Sequence, residues 1–438
     1  MPGASFTLLI RAIDAGATYI SFRWLDDPNH PTVRRLLPET HLRRLTALLN
    51  EALIGDDDST NEVKRAIRGP LGTLGGERSF TAELSEIILD DTVVSQIVAR
   101  ATRGEVTIEY TPSPAISRVP LDLLPIGSGD RRLMEIAEFV CVPPVSLVAG
   151  RARQPDPWIR FAPDSVLYIV DPEVPNAAGL RQVLPQPGAG DYTNADCWAE
   201  RIAATKHTTM NSGVRKRITR WRLHQDLITR PSRLMYVGHV SSTLQQPGSA
   251  SLHLSCEWHE WGLAAGIARA HRPLSALDLL YGTVQYPHAG PSGRMPPVRF
   301  RNMAGHELWP MPPRVAMIAC EGGVDYRSDD IFGLVTASMN SGAELVTTTR
   351  WTLPSDDAVK QFGYGDDRGD VPGPTTELGL AVDEAHQSPD PVAWMNNWQR
   401  AKLECWRETG HRSSRHSPLV WASITDHVCT PREDSHDR

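Results

Sequence analysis

The sequence predicts an α/β protein with a mostly parallel sheet flanked by helices. From Ser165 onward, apolar strands alternate with helical segments, which is the order that βαβ crossovers produce. Two of these strands end in a reactive side chain: LMYVGH ends in His239 and VAMIAC ends in Cys320. Because the carboxyl ends of parallel strands meet at one edge of an open sheet, the same pattern predicts where a site forms.

The first hundred residues predict a smaller α/β region that extends this core at its N-terminal side. Residues 5–23 form two apolar stretches around a glycine turn, and HLRRLTALLNEALI has leucines at helical spacing. A helix (SFTAELSEIILD) follows. We therefore predict an N-terminal α/β region over residues 1–100, packed on a main domain over residues 101–430.

The main domain is predicted element by element from its apolar pattern. The predicted strands are GEVTIEYT, SVLYIVD, RLMYVGH, SLHLS, RVAMIAC and AELVTTTRW. The predicted helices are ADCWAERIAA, VRKRITRWRLHQDLI, PLSALDLL, DDIFGLVTASMN and AWMNNWQRAKLECWRE. Pro/Gly-rich stretches such as YGTVQYPHAGPSGRMPP separate them, and loops of this length inside a domain tend to be functional.

Composition argues against several classes of function. The chain has 45 Lys and Arg against 52 Asp and Glu, a net charge of −7, so it offers no general attraction to nucleic acid or anionic membrane. The N-terminal residues lack the pattern of a secretory signal, and no apolar run approaches the length of a bilayer span. Six widely spaced cysteines predict reduced thiols, so we expect a cytoplasmic protein.

A histidine and a cysteine at neighbouring strand ends can form a catalytic dyad. The thiolate is the nucleophile, and an imidazole within hydrogen-bond reach takes the thiol proton and later returns it to a leaving amine. Taken singly, Cys320 also fits a buried core thiol and His239 a buried histidine with ordinary partners. Glycines follow Cys320 closely (Glu321-Gly322-Gly323) and allow a substrate backbone to approach.

Several segments in order resemble the CHAT domain, a caspase-like cysteine protease family of the clan that holds caspases and separase. They are VPLDLLP, SVLYIVDP, LMYVGHVS, SLHLS, PLSALDLL, VAMIACEGG, GAELVTTTRWTLPSDDA and RHSPLVWASI, spanning roughly residues 100–425. The chain departs from the family pattern in having Gly238 before the histidine, where the family has glycine after it. The resemblance implies a caspase-like fold.

The resemblance also implies a regulated cysteine endopeptidase that cleaves a protein substrate without a metal or cofactor. His239 and Cys320 would be the catalytic residues, and the backbone N–H groups of Gly238 and Cys320 would form the oxyanion hole. An activating partner or ligand is expected, because an intracellular protease without a pro-segment needs another restraint. By association, family context points to bacterial defence or programmed cell death.

Family similarity places the substrate pocket in three loops, which here carry Asp171, Asp325 and Trp351. Carboxylates in a partly desolvated pocket would favour a substrate with Arg or Lys at P1. Two plainer interpretations stay open: Asp171 fits turn chemistry before Pro172, and Asp325 fits a solvated loop carboxylate.

Three alternatives compete with the protease interpretation. The fold could serve as a catalytically silent interaction or assembly module with Cys320 buried. The basic run at residues 215–222 could contact phosphates, although a solvated helix face explains it better, since Trp221 alone provides little stacking surface. His253, Cys256 and His259 could form a partial metal site, but a fourth ligand at suitable spacing is missing.

Overall fold

The computed structural model describes residues 4–55, 60–127, 129–158, 165–175, 180, 182–184, 192–241, 248–264, 270–284, 294–319, 331–365, 371–409 and 412–429. Its strands are β1 (Ala4–Asp14), β2 (Thr18–Trp24), β3 (Thr32–Leu36), β4 (Gly104–Thr111), β5 (Glu138–Cys141), β6 (Ser165–Val170), β7 (His207–Thr208), β8 (Gly213–Val214), β9 (Arg233–Gly238), β10 (Val240–Ser241), β11 (Ser251–Leu252), β12 (Leu274–Ser275), β13 (Arg314–Ala319), β14 (Leu345–Thr349) and β15 (Ile424–Val428).

The helices are α1 (Arg43–Ala52), α2 (Thr60–Arg68), α3 (Leu74–Ile88), α4 (Asp91–Ala101), α5 (Val145–Gly150), α6 (Asn194–Ala204), α7 (Arg220–Leu227), α8 (Ala276–Tyr281), α9 (Gly305–Leu308), α10 (Ile331–Asn340), α11 (Asp356–Phe362), α12 (Pro374–Ala385), α13 (Pro391–Thr409) and α14 (Pro418–Trp421). Capping residues in the sequence fix the N-termini of several of these helices. Thr193 caps α6 by accepting the N–H of Asp196, whose carboxylate in turn accepts the N–H of Thr193.

Within the described residues, twelve strands form one sheet. Its order is β3-β2-β1-β4-β5-β15-β14-β13-β9-β6-β7, with β8 also paired to β6. The central strands β14, β13, β9 and β6 are mutually parallel, whereas β15 is antiparallel to β14 and the β1-β2-β3 meander is antiparallel. The predicted mostly parallel α/β sheet is confirmed.

Side-chain alternation along the central strands divides the interior into two cores on opposite faces of the sheet. In β9, Met235 and Val237 join one core while Leu234 and Tyr236 join the other. Helices α6, α12 and α13 contribute to the first core, and α7, α8 and α10 to the second. Because both faces are covered, these strands are continuous apolar runs rather than alternating ones.

The N-terminal region joins the same sheet. Strands β1 and β2 form the predicted hairpin around Gly16, whose φ of 71° suits glycine in a turn. Strand β1 then pairs in parallel with β4, from Ala4 opposite Gly104 to Arg11 opposite Thr111. On its other side, β4 pairs with β5, which meets β15 through the single pair Cys141 and His427. The division at residue 100 stays a prediction.

The sequence-based helix over residues 214–228 is partly wrong. Val214 pairs with β6 instead, and Arg215 has a φ of 53°, which no α-helix accommodates. Helix α7 starts only at Arg220, where the Thr219 hydroxyl accepts the N–H of Arg222. The basic run therefore lies on an irregular segment and the first turn of α7, and does not form one helical face.

Candidate active site

Strand β9 ends directly before His239. All six residues of β9 are buried, because β6 and β13 pair with it on either side. The next residue, His239, is 5% exposed and lies at the carboxyl edge of the parallel strands. This is the edge at which the sequence predicted the site.

Strand β13 ends beside β9 in parallel register. Ala319, the last residue of β13, pairs with Gly238, the last residue of β9. The residues that follow in sequence are Cys320 and His239. Cys320 lies outside the described residues, so the distance between its sulfur and the imidazole stays a prediction. Asp325 lies outside them as well.

Close packing explains why position 238 is a glycine. A Cβ there would lie 2.8 Å from the hydroxyl oxygen of Tyr236 and 3.3 Å from Cδ of Pro172. That hydroxyl lies 2.6 Å from the carbonyl oxygen of His239 and 3.1 Å from that of His253. Tyr236 thus fixes the backbone on both sides of the site. The oxyanion role of the Gly238 and Cys320 N–H groups stays a prediction.

A small antiparallel sheet, β10-β11-β12, brings a second histidine next to the first. The N–H of His253 donates to the carbonyl of His239 at 3.1 Å, which continues the register of Val240 with Leu252. The two imidazole rings lie 6.3 Å apart, nearly edge to face. The chain reversal after β9 therefore places His253 beside the proposed base.

A third imidazole completes what we call the histidine cluster: His239, His253 and His271. Nδ1 of His253 lies 2.9 Å from Nε2 of His271. Burial, then the charges of His271 and His239, lower the pKa of His253 well below its ordinary value. Burial, followed by the charge of His239, lowers the pKa of His271 to about 4. His253 and His271 are accordingly neutral at physiological pH.

The metal-site alternative does not fit this arrangement. The ring of His253 is engaged by Ser241 and His271, while the sulfur of Cys256 accepts the N–H of Arg220. His259 instead contacts the ring of Trp258. Among the described residues, no group of three His, Cys, Asp or Glu side chains has metal-binding geometry.

Asp171 follows β6 at the same carboxyl edge, but its carboxylate has several partners within the chain. It accepts the N–H groups of Val183 and Leu184 at 3.0 and 3.2 Å and pairs with Arg215 at 3.2 Å. Asp171 is 4% exposed and has a φ of 48°. These bonds anchor the 183–184 segment. A substrate-binding role stays a prediction, with the charge of Asp171 already balanced by Arg215.

Trp351 lies just beyond β14, and its side chain belongs to the protein core. The indole is 1% exposed, and its Nε1 donates to the carbonyl of Leu419 at 2.8 Å. Direct contact with substrate, as implied by the resemblance, stays a prediction.

Burial makes most of the cysteines among the described residues poorly reactive. Burial raises the pKa of Cys141 to about 12 and that of Cys256 to about 11. Burial also raises the pKa of Cys197 and Cys429. Cys405 is half-buried on α13. Since the thiolate is the reactive form, four of these five thiols are poor nucleophiles.

The basic run offers little to a nucleic acid. Arg220 is fully buried and pairs with buried Asp278 at 3.1 Å, which contradicts a solvated face at this position. Trp221 stacks on Phe300 with ring centroids 4.6 Å apart, so one face of the indole is covered. This packing removes the best stacking residue and one of the cations from the alternative.

A cavity of about 270 Å³ opens at the opposite, amino edge of the central strands. Its lining includes Phe139, Arg314, Leu345 and Val392. None of the residues that line it belongs to the candidate site, although the lining includes the carboxylates of Glu109, Glu138, Glu344 and Asp390. This cavity is therefore separate from the carboxyl edge that carries His239.

No protein-family model matches the chain, and no curated protein matches it in sequence. Among solved structures, it is similar to the Saccharomyces cerevisiae separase–securin complex, with a TM-score of 0.42 and 10% sequence identity. That match covers 96% of this chain, and the chain spans 30% of the length of the yeast chain.

The described residues include no helix that combines the length and the apolar character needed to cross a bilayer.

Proposed function

We propose that the chain is a cysteine endopeptidase of the CHAT type, with His239 as general base and Cys320 as nucleophile. The parallel register of Gly238 with Ala319 supports this assignment most directly. If the register continues by one residue, the thiol and the imidazole share one edge of the sheet. The ordered series of CHAT-like segments in the sequence supports it independently.

In this mechanism His239 takes the thiol proton and the Cys320 thiolate attacks the scissile carbonyl carbon. Backbone N–H groups of Cys320 and Gly238 bind the oxyanion that forms. The imidazolium returns its proton to the leaving amine, which leaves a thioester on Cys320. Water, deprotonated by His239, then hydrolyses that thioester and restores the thiol.

The histidine cluster supports His239 as the proton carrier. His253 and His271 lie close by, and their pKa values are lowered. Like charges that share a buried site disfavour one another, so the cluster holds one proton more readily than two. His253 and His271 therefore do not compete with His239 for the proton removed from the thiol.

The substrate is proposed to be a protein with Arg or Lys at P1. Because Arg215 balances Asp171, this preference depends chiefly on Asp325, with Asp329 and Asp330 nearby in sequence. A fluorogenic peptide library varied at P1 tests it. We expect basic residues to be cleaved fastest; preference for an acidic or large apolar P1 would refute the pocket assignment.

Control by a partner or ligand is part of the proposal. His239 is only 5% exposed, so the leaving amine of a substrate reaches its imidazole only after the carboxyl edge opens. A partner that favours the open state would raise activity by shifting that population. A role in bacterial defence or programmed cell death follows from family association alone.

The decisive experiment compares the wild type with Cys320→Ala. A peptide acyloxymethyl ketone with a basic P1 should label Cys320, located by mass spectrometry, and the variant should lose cleavage by about a thousandfold or more. Thermal unfolding of the variant should stay near that of the wild type. Cys405→Ala is the matched control, because Cys405 is the described cysteine without full burial.

The outcomes separate the protease from its main competitor. Equal labelling of Cys405 and Cys320 would show that Cys320 is not an activated thiol. A folded wild type that leaves Cys320 unlabelled at saturating reagent would favour the catalytically silent assembly module.

A further inference from the structure

A serine and two histidines beside the proposed dyad form a second series of hydrogen-bond contacts of the kind found in active sites. Oγ of Ser241 is 2.7 Å from Nε2 of His253, and Nδ1 of His253 is 2.9 Å from Nε2 of His271. We call these three residues the serine–histidine line. A hydroxyl bonded to an imidazole, which is bonded in turn to an orienting group, is the arrangement that activates serine nucleophiles.

The candidate nucleophile is more exposed to solvent than the two histidines behind it, as a nucleophilic site requires. Ser241, in β10, is partly exposed, whereas His253 and His271 are each 1% exposed. The register of Ser241 with Ser251 in β11 fixes the backbone that carries the hydroxyl. An external electrophile can therefore approach Ser241 while the base and the orienting residue stay shielded from water.

Protonation of the line is compatible with base catalysis. Both imidazoles are neutral at physiological pH, as their lowered pKa values require. With its proton on Nδ1, His253 donates to Nε2 of His271 and keeps the Nε2 lone pair for the Ser241 hydroxyl. In the reversed tautomer, His253 donates to Ser241 and the serine stays unreactive, so reactivity distinguishes the two.

We propose that Ser241 is the nucleophile of a second, acyl-transfer site, with His253 as its general base and His271 as a positioning residue. In the first step the Ser241 oxygen forms a bond to the carbonyl carbon of an ester, and its proton passes to His253. The ester C–O bond breaks, the departing alcohol takes that proton, and water later hydrolyses the acyl-serine. Cys320 takes no part, so this site does not depend on the proposed peptidase.

The members of the line carry no charge, because both imidazoles are neutral, so the site should accept an uncharged ester. A neutral imidazole stabilises the imidazolium that forms on His253 less than a carboxylate would. Acylation should therefore be slow, and a strongly activated phosphorus electrophile is the suitable probe.

The test uses a fluorophosphonate on the full-length protein. Attack forms an O–P bond on Ser241, fluoride leaves, and the proton passes to His253. Mass spectrometry of the wild type should locate the adduct on Ser241 without any variant. Ser241→Ala should abolish labelling, whereas Ser21→Ala, a change at a partly exposed serine in β2, should leave it unchanged.

Variants of the other two residues test their roles. His253→Gln should slow labelling by about a hundredfold or more, as expected for loss of a general base. His271→Gln keeps a group that can accept from His253 Nδ1 and should slow labelling less than His271→Ala does. Unfolding midpoints are recorded for every variant.

The outcomes are distinct from those of the proposed peptidase. Cys320→Ala removes the peptidase and is expected to retain the adduct on Ser241. A wild-type protein without an adduct on Ser241 would overturn the proposal. A folded His253→Gln variant that labels at the wild-type rate would overturn it equally.

Discussion

Strand β9 begins among buried charges and ends among neutral imidazoles. At its amino end, Nη1 of Arg233 lies 2.7 Å from the Asp383 carboxylate and 2.8 Å from the Asp383 carbonyl oxygen. At its carboxyl end, His239 is followed across the small sheet by His253 and His271, whose pKa values are lowered. One end is held by a fixed ion pair, whereas His253 and His271 at the other end stay neutral at physiological pH.

The neighbouring strand β13 repeats the difference. Arg314, its first residue, donates to the carbonyl oxygens of His386 and Ser388 at 2.6 and 2.7 Å and stacks on Trp158. Its last residue, Ala319, has no titratable side chain. Buried arginines therefore fix the starts of β9 and β13, whereas Gly238 and Ala319, the last residues of these strands, carry no charge.

The largest effect is expected at the amino edge. Asp383 is 1% exposed and pairs with Arg233 and Arg201, and it also accepts the hydroxyl of Tyr168. Asp383→Asn keeps the shape but leaves two guanidinium groups without their counter-charge. The free energy of unfolding, measured in urea, should fall by about 3–5 kcal/mol.

Its matched control is an exposed pair. Arg43 and Glu39 pair on the surface, one helical turn apart. Glu39→Gln should change the free energy of unfolding by less than about 1 kcal/mol. Similar losses in the two variants would mean that the amino edge gains nothing from burial of its charges.

A middle-sized effect is expected from Gly238→Ala. The added Cβ displaces the Tyr236 hydroxyl from the carbonyl oxygens of His239 and His253, so the overpacked site should cost about 1–3 kcal/mol. Labelling of Cys320 should slow in parallel. In contrast, Gly75→Ala, on an exposed turn of α3 with open space around it, should be neutral or stabilising. An unchanged Gly238→Ala variant would show that Tyr236 does not hold the site.

A last effect concerns acid stability at the carboxyl edge, and it develops only as the pH falls. The pKa of His271 is lowered to about 4, so the unfolded chain binds a proton at a higher pH than the folded one. Stability is then present above pH 6.5 and declines as the pH falls toward 4. His271→Gln should flatten this decline by up to about 1.4 kcal/mol per pH unit.

Unfolding free energies measured from pH 7 to pH 4 give this slope. His30, which is exposed beside Asp27, is the control: His30→Gln should leave the slope unchanged. An equal slope in the wild type and in His271→Gln would show that His271 is not held neutral by the fold.

Most of the fold could be predicted because the central strands are continuous apolar runs between polar turns. RLMYVG and RVAMIA became β9 and β13 within one residue of the prediction. The start of α7 was misplaced because backbone conformation, which composition does not reveal, decided it. Arg215 adopts a positive φ five residues before α7, so only the second half of a basic run that resembles a helix is helical.

The sequence predicted those parts of the site that depend on a single strand. His239 at the end of β9 followed from the sequence, whereas the histidine cluster did not. His253 and His271 meet through the antiparallel register of β10-β11-β12, a contact between residues far apart in the chain. The ion pair between Asp171 and Arg215 was not predicted for the same reason: the two residues lie far apart in the chain, and both adopt a positive φ.

The pairing of β1 with β4 bears on how the molecule avoids self-association. Without β1, the whole length of β4 would present unpaired N–H and C=O groups, a template for adding strands from other molecules. The native edge is β3 instead, a short strand that carries Arg34 and Arg35. Like charges there repel a second copy. The N-terminal hairpin thus acts as a guard against intermolecular sheet growth, and removing it should favour aggregation even if the remaining core still folds.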